Sequence, residues 1–268
     1  MLKDITLGQY FPGDSIVHRL DPRTKLILVV VYIVALFNAG NVVSYALMLF
    51  VLFSCIALSH VGLKAVFKGL RTVFIIILIT ALLNIFYNTT GTLLVQFWRI
   101  RIFTGGIAMA VKMVLRIMML ISGTFLLTYT TSPIQLTDAI ERLCGPLKKL
   151  HLPIHELAMM MSIALRFIPT LIEETDKIMS AQKARGADFE TGNLIQKARA
   201  LMPLLVPLFV SAFRRAEELA TAMECRCYHG DSGRTRMKQL TYAPRDFVAL
   251  ALGFVVLAAV FVLKHFGL

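Results

Sequence analysis

Five apolar runs recur along this chain, at residues 26–40, 42–60, 72–88, 106–129 and 247–264. A helix needs roughly 20 mostly apolar residues to cross a bilayer. Backbone in lipid must satisfy its own hydrogen bonds, so runs of this kind fold as helices. Composition agrees. Hydrophobic residues make up 57% of the chain and charged residues 16%, against roughly 45–50% apolar in soluble domains. The expected fold class is an all-α membrane protein with about five transmembrane helices. A length of 268 residues does not ask for several independent domains.

The formal net charge is +12. With no basic-aromatic surface or recognisable nucleic-acid module beside it, the charge fits cytoplasmic Lys and Arg facing anionic lipid, and nucleic acid is not an expected partner. The four cysteines, Cys55, Cys144, Cys225 and Cys227, do not form a disulfide framework. One falls in an apolar run and three in a region expected to be cytoplasmic, where thiols stay reduced. The first apolar run follows a segment containing Asp14, Asp21 and Pro22 and has no small-residue cleavage site after it. It reads as a mature transmembrane helix, not a signal peptide.

Between the runs, Asn38-Ala-Gly-Asn41 forms an uncharged turn. Segment 61–71 carries Lys64, Lys68 and Arg71 on one helical face, beside Leu63, Val66, Phe67 and Leu70, and is expected to be an interfacial amphipathic helix. The stretch after Thr92 suggests a short hairpin outside the membrane, with Trp98 at headgroup level. The amino-terminal segment carries Lys3, Arg19, Arg23 and Lys25, whereas the first loop carries no Lys or Arg and the third only Arg99 and Arg101. The positive-inside rule then puts the amino terminus in the cytoplasm and, with five spans, the carboxyl terminus outside. The expected organisation is four spans in 1–131, a cytoplasmic helical region in 132–245 and a last span in 246–268.

The cytoplasmic region reads as three helices. Ser132-Pro133 opens the first, which ends at Gly145-Pro146. Pro153 opens the second, which runs to Arg185 with Gly186 as its stop; the third runs from about Asn193 to Cys227. Each of the last two could reach roughly 50 Å, with kinks expected at Pro169, Pro203 and Pro207. Residues 157–168 and 201–213 are apolar, so two extra spans are the alternative. Arg166, Pro169 and the following Glu173, Glu174 and Asp176 favour helices lying on the cytoplasmic membrane face.

The two long helices end alike, in Ala181-Gln-Lys-Ala-Arg-Gly186 and Ala222-Met-Glu-Cys-Arg-Cys227. A cation at a helix carboxyl end complements the macrodipole, so one copy is an ordinary cap. Two copies invite another reading. Arginine offers a planar fork suited to carboxylates, and two forks could fit two acidic grooves on a dimeric soluble partner.

The chain resembles the transmembrane T component of energy-coupling factor transporters, the vitamin and trace-metal importers of prokaryotes. The resemblance rests on Pro12-Gly-Asp-Ser-Ile-Val-His-Arg-Leu-Asp-Pro-Arg-Thr-Lys25, Leu165-Arg-Phe-Ile-Pro169 and Ala181-Gln-Lys-Ala-Arg-Gly186. It implies an L-shaped set of membrane helices with cytoplasmic coupling helices, in a prokaryotic cell membrane. It also implies two partners: a pair of ABC-type ATPases, identical or not, and a substrate-binding membrane subunit. By resemblance, Ala184, Arg185 and Gly186 form the first ATPase-coupling signature, and the second aligns at Cys225, Arg226 and Cys227. The second keeps only its arginine, so its glycine-based stop is lost and the helix is expected to continue toward Gly230. The amino-terminal motif resembles the shared form serving several vitamin-binding subunits; a dedicated cobalt or nickel form is the alternative.

No Gly-x-x-x-x-Gly-Lys-Ser/Thr phosphate loop occurs, so ATP hydrolysis is expected on partner subunits. His155-Glu156 lacks the second histidine of a zinc-protease helix, since position 159 is Met. Cys225, Cys227 and His229 carry ligand chemistry, but cysteines two apart on a helix point about 200° apart, and neither a metal nor a cofactor is expected. A membrane enzyme acting at the cytoplasmic face is the reading from another class, weakened by the lack of a nucleophile-base-acid set. Lys112 and Arg116, one turn apart in the fourth run, either face an intramembrane partner or snorkel to the interface. Met113, Met118, Met119 and Met159 to Met161 fill core space or offer adaptable contacts to several partners.

Overall fold

The computed structural model describes residues 10–87, 90–97, 100–150, 153–189, 193–230 and 239–266. Eight α-helices carry the described chain: α1 (Pro22–Asn38), α2 (Val42–Ser59), α3 (Leu63–Tyr87), α4 (Thr104–Thr130), α5 (Pro133–Leu143), α6 (Ile154–Ala184), α7 (Leu194–Glu224) and α8 (Pro244–His265). Between α3 and α4 lies an antiparallel hairpin of β1 (Leu93–Phe97) and β2 (Ile100–Phe103), as the turn-rich sequence there suggested. Trp98, Arg99 and Lys3 lie outside the described residues. Among the described residues, α2, α3, α4, α6 and α8 are long and apolar enough to cross a membrane. The chain is a multi-pass helical membrane protein.

This set differs from the five expected runs at two helices. The first apolar run falls in α1, which at 17 residues reaches about 25 Å. Helix α6, expected at the membrane face, also has the length and composition of a span. A third difference concerns 61–71. Helix α3 runs unbroken from Leu63 to Tyr87, so the expected amphipathic segment is its first part, with Lys64, Lys68 and Arg71 exposed.

The chain divides into two compact units. One comprises residues 140–239; the other comprises 8–139 with 240–268. The second unit is built around Leu36, Met48, Met119 and Val260, all nearly inaccessible, on α1, α2, α4 and α8. A smaller cluster of Val61, Val66 and Tyr129 joins α3 to α4. Close approach there depends on Gly69, where an added Cβ would lie 2.2 Å from the ring of Phe125.

The same unit explains the amino-terminal motif. Asp21 caps α1 by accepting from the Arg23 N–H at 2.9 Å, with Pro22 at the first helical position. The Arg23 guanidinium grips the same carboxylate through Nε (3.0 Å) and Nη2 (2.8 Å) and stacks 3.9 Å above the Tyr242 ring. The buried Lys25 ammonium donates to the His18 carbonyl (3.1 Å), the Thr130 carbonyl (2.8 Å) and Thr131 Oγ1 (3.3 Å). Asp246, also buried, accepts from the Asp21 N–H at 2.8 Å and from the Ala243 N–H at 2.8 Å. Each buried charge thus has hydrogen-bonded partners. The Asp-Pro-Arg-Thr-Lys stretch thereby ties the start of α1 to the end of α4 and the start of α8. Burial opposes ionisation of Asp21, but the hydrogen bonds from Arg23 and the charges of Arg23 and Lys25 outweigh it and hold the carboxyl below its ordinary value.

Candidate functional site

The first unit is organised by α6 and α7. Helix α7 starts in a capping box: the Asn193 side chain accepts from the Gln196 N–H, and the Asn193 N–H donates to Gln196 Oε1 at 3.0 Å. Both helices continue through their prolines, Pro169 in α6 and Pro203 and Pro207 in α7. Arg215 donates from Nη2 to Glu174 Oε2 at 2.9 Å, while the Ser211 hydroxyl donates to Glu174 Oε1. Farther along, the Tyr228 hydroxyl reaches Met159 Sδ at 3.1 Å. Residue numbers rise along α7 as they fall along α6, so the helices are antiparallel.

Antiparallel packing sends the two arginine ends apart. Arg185 lies beyond the end of α6 and Arg226 beyond the end of α7, at opposite ends of the pair. At about 1.5 Å per residue, from the level of Met159 to Arg185, they are separated by roughly 35–40 Å.

The two ends have the same backbone hydrogen bonds. After α6, the Gly186 N–H donates to the Lys183 carbonyl at 3.0 Å and the Ala187 N–H to the Gln182 carbonyl at 3.0 Å. After α7, the Cys227 N–H donates to the Glu224 carbonyl at 2.9 Å and the Tyr228 N–H to the Met223 carbonyl at 3.1 Å. Both are Schellman motifs. The residue after each arginine is left-handed, Gly186 at φ 89° and Cys227 at φ 54°. The expectation that losing glycine lets the second helix continue toward Gly230 is therefore corrected. Helix α7 stops at Glu224, because Cys227 takes the conformation that glycine takes at the first end. The two Schellman hydrogen bonds at this end offset the steric cost of a Cβ in that region.

Ala184, Arg185, Gly186, Cys225, Arg226 and Cys227 are all exposed. Among the described residues, no carboxylate pairs with Arg185 or Arg226. Two guanidinium forks thus project from rigid caps with donors available. His229 Nδ1 donates to the Cys227 carbonyl at 2.8 Å, and among the described residues no three His, Cys, Asp or Glu side chains converge as a metal-binding group. Lys112 and Arg116 meet backbone of their own chain: Lys112 Nζ donates to the Gly40 carbonyl at 3.1 Å and Arg116 Nη2 to the Ala39 carbonyl at 3.0 Å.

Asp246 and Tyr242 were not singled out from sequence. Asp246 lies 225 residues from the N–H it binds, and nothing local marks an acid near a helix start as a partner for a distant cap. Glu174 and Arg215 were likewise invisible as a pair.

Long apolar helices in both units, with an antiparallel pair ending in exposed arginines in one of them, define a polytopic helical membrane protein. Comparison with known proteins fits that class. Residues 13–238 match the CbiQ family, described as cobalt transport protein. The chain is 55% identical over 250 residues to the energy-coupling factor transporter transmembrane protein EcfT of Clostridium kluyveri, covering 93% of each. It is 47% identical over 265 residues to the EcfT of Ruminiclostridium cellulolyticum, covering 99% of each, and 48% identical over 259 residues to that of Bacillus subtilis, covering 97% of each. The chain belongs to this family, as a transmembrane T component of the energy-coupling factor type.

Proposed function

We propose that this chain couples two cytoplasmic ABC-type ATPases to a substrate-binding membrane subunit in vitamin uptake. It performs no chemistry itself. ATP binding and hydrolysis on the partners would move two acidic grooves, and Arg185 and Arg226, seated in them, would carry that motion into α6 and α7. The observation that supports this reading is the matched pair of exposed, identically capped arginines at the two ends of one antiparallel helix pair. A rigid pair with two separated forks suits a dimeric partner better than a single groove.

In this reading the amino terminus is cytoplasmic and the carboxyl terminus outside. Helices α6 and α7 lie along the cytoplasmic face. Antiparallel helices crossing the bilayer would send Arg185 and Arg226 to opposite sides, out of reach of one pair of soluble ATPases. The family description, cobalt transport protein, keeps a second reading open, in which the chain serves a dedicated cobalt or nickel importer.

The test is charge reversal in the full complex. Arg185→Glu and Arg226→Glu are each expected to lower ATPase co-purification about tenfold or more, since a charge-assisted pair contributes about 1.5–3 kcal/mol, or to leave hydrolysis without uptake. Normal complex yield and normal transport in both variants would overturn the reading. The co-purified membrane subunit separates vitamin uptake from metal uptake, and a lone chain retaining a cofactor would favour a membrane enzyme.

A further inference from the structure

The carboxyl end of α1 gathers positive charge. Lys112 and Arg116, from α4, bond the carbonyls of Gly40 and Ala39. Lys264, from the last turn of α8, donates to Asn38 Oδ1 at 3.1 Å. Three cations from two helices therefore converge on three consecutive residues of the α1–α2 turn. The Arg116 guanidinium lies 5.8 Å from the Phe37 ring and 5.9 Å from the Tyr45 ring, and its Nε is buried without a hydrogen-bond partner.

Among the described residues, no Asp or Glu side chain bonds these three cations. From Pro22 to Thr137 the chain contains no Asp or Glu. Asp246, the sole carboxylate of α8, is engaged with Asp21 at the amino end of α1. The α1 carboxyl end contributes about half a negative charge against three positive ones. Ordinary capping of α1 thus leaves most of the charge unneutralised, and each ammonium, with three donors, has capacity beyond the one bond described. The neighbourhood is also apolar on its outside. Phe37, Val42, Val111 and Phe261 are all exposed, each within about one helical turn in sequence of one of these cations or of the turn they bond. Charge beside bare hydrocarbon suits an amphipathic anion.

The geometry points to a binding site for an anionic phospholipid, its phosphodiester held by Lys112, Arg116 and Lys264 and its acyl chains lying on the exposed apolar residues, in the leaflet opposite the amino-terminal end of α1. Electrostatic attraction of this kind is lipid-selective, whereas snorkelling cations that only reach water or any headgroup would not discriminate.

The test is titration of the detergent-solubilised full-length chain with phosphatidylglycerol or phosphatidylcholine of matched acyl chains, read by native mass spectrometry. Phosphatidylglycerol is expected to be retained at a concentration at least about tenfold lower than phosphatidylcholine, as expected for charge-assisted binding. Lys112→Gln combined with Lys264→Gln should abolish that preference, while Lys112→Arg combined with Lys264→Arg should keep it. Lys64→Gln with Lys68→Gln, on α3, serves as the charge-matched control and should leave it unchanged. Equal retention of the two lipids by the wild-type chain would overturn the proposal, as would an unchanged preference in the double Gln variant. Displacement of phosphatidylglycerol by millimolar inorganic phosphate would show a phosphate site without lipid selectivity and would also overturn it. If the double Gln variant does not fold, Lys264→Gln alone carries the test, because its partner Asn38 Oδ1 is exposed to solvent and tolerates the loss.

Discussion

Gly186 and Cys227 both take left-handed backbone, at φ 89° and 54°, at the position after an exposed arginine. The two helix ends therefore close with the same hydrogen-bond pattern although their sequences differ. The second end is the costlier one. A side chain in this region costs about 1–2 kcal/mol, partly offset because glycine loses about 0.4–1 kcal/mol more chain entropy on folding.

Cys227→Gly is therefore expected to stabilise the end of α7 by about 0.5–1 kcal/mol, and Gly186→Ala to destabilise the end of α6 by a similar amount. A Cβ at Gly186 meets nothing within 4 Å, so backbone strain alone is being measured. Amide exchange of Tyr228 and Ala187, whose N–H groups close the two caps, reports the changes separately. Faster exchange at Tyr228 in Cys227→Gly would contradict the argument.

The Glu174–Arg215 pair sets the alignment of α6 on α7. The side chains are 23% and 36% exposed, so solvent screens them and the expected coupling energy is modest, about 0.5–1 kcal/mol in a Glu174→Gln, Arg215→Met double-mutant cycle. Thermal unfolding of the four proteins in detergent measures it. A coupling of zero would show that apolar contacts alone align the helices.

Acid should loosen the α1 cap. The Asp21 carboxyl is held below its ordinary value of 3.8. Its contribution is fully present above about pH 4 and is lost as pH falls through the lower folded-state value. Asp21→Asn should cost about 1–3 kcal/mol at neutral pH and flatten the acid limb of the stability profile. Parallel acid limbs for the two proteins would exclude Asp21 as the titrating group.

Helix α3 depends on Gly69. The Phe125 ring it admits is stacked on Tyr129 at 5.7 Å, and the Tyr129 hydroxyl donates to the Ala65 carbonyl at 3.2 Å. The ring therefore has little room to retreat. Gly69→Ala should cost about 1–3 kcal/mol, with recovery on adding Phe125→Leu. Differential scanning fluorimetry on the purified chain distinguishes this from a tolerated substitution, which would leave the midpoint unchanged.

Much of the fold was legible because it rests on local rules. Apolar run length marked four of the five helices long and apolar enough to span, α2, α3, α4 and α8. Ser132-Pro133 and Asn193 marked helix starts, and Gly186 marked a stop, each because a single residue type satisfies an orphan backbone group or a special φ. The second stop was misread for the same reason. Cysteine rarely adopts positive φ, so a rule based on glycine placed the end at Gly230, whereas the cap hydrogen bonds placed it at Glu224. The boundary at 71 was misread because charge pattern changes there while helix propensity does not.

The two arginine ends show where sequence stops and tertiary structure begins. Sequence by itself determined that there are two, that each follows a long, partly apolar helix, and that each carries a charge. Only the folded chain decided that they point away from each other. That direction follows from which face of α6 meets which face of α7, fixed by Glu174 with Ser211 and Arg215 and by Met159 with Tyr228. Contacts between residues so far apart in sequence leave no local periodicity to read. The same holds for Asp246 beneath Asp21 and for the three cations around Asn38. Local hydrogen bonds and apolar runs are written in neighbouring residues, but the pairing of distant charges is set by packing.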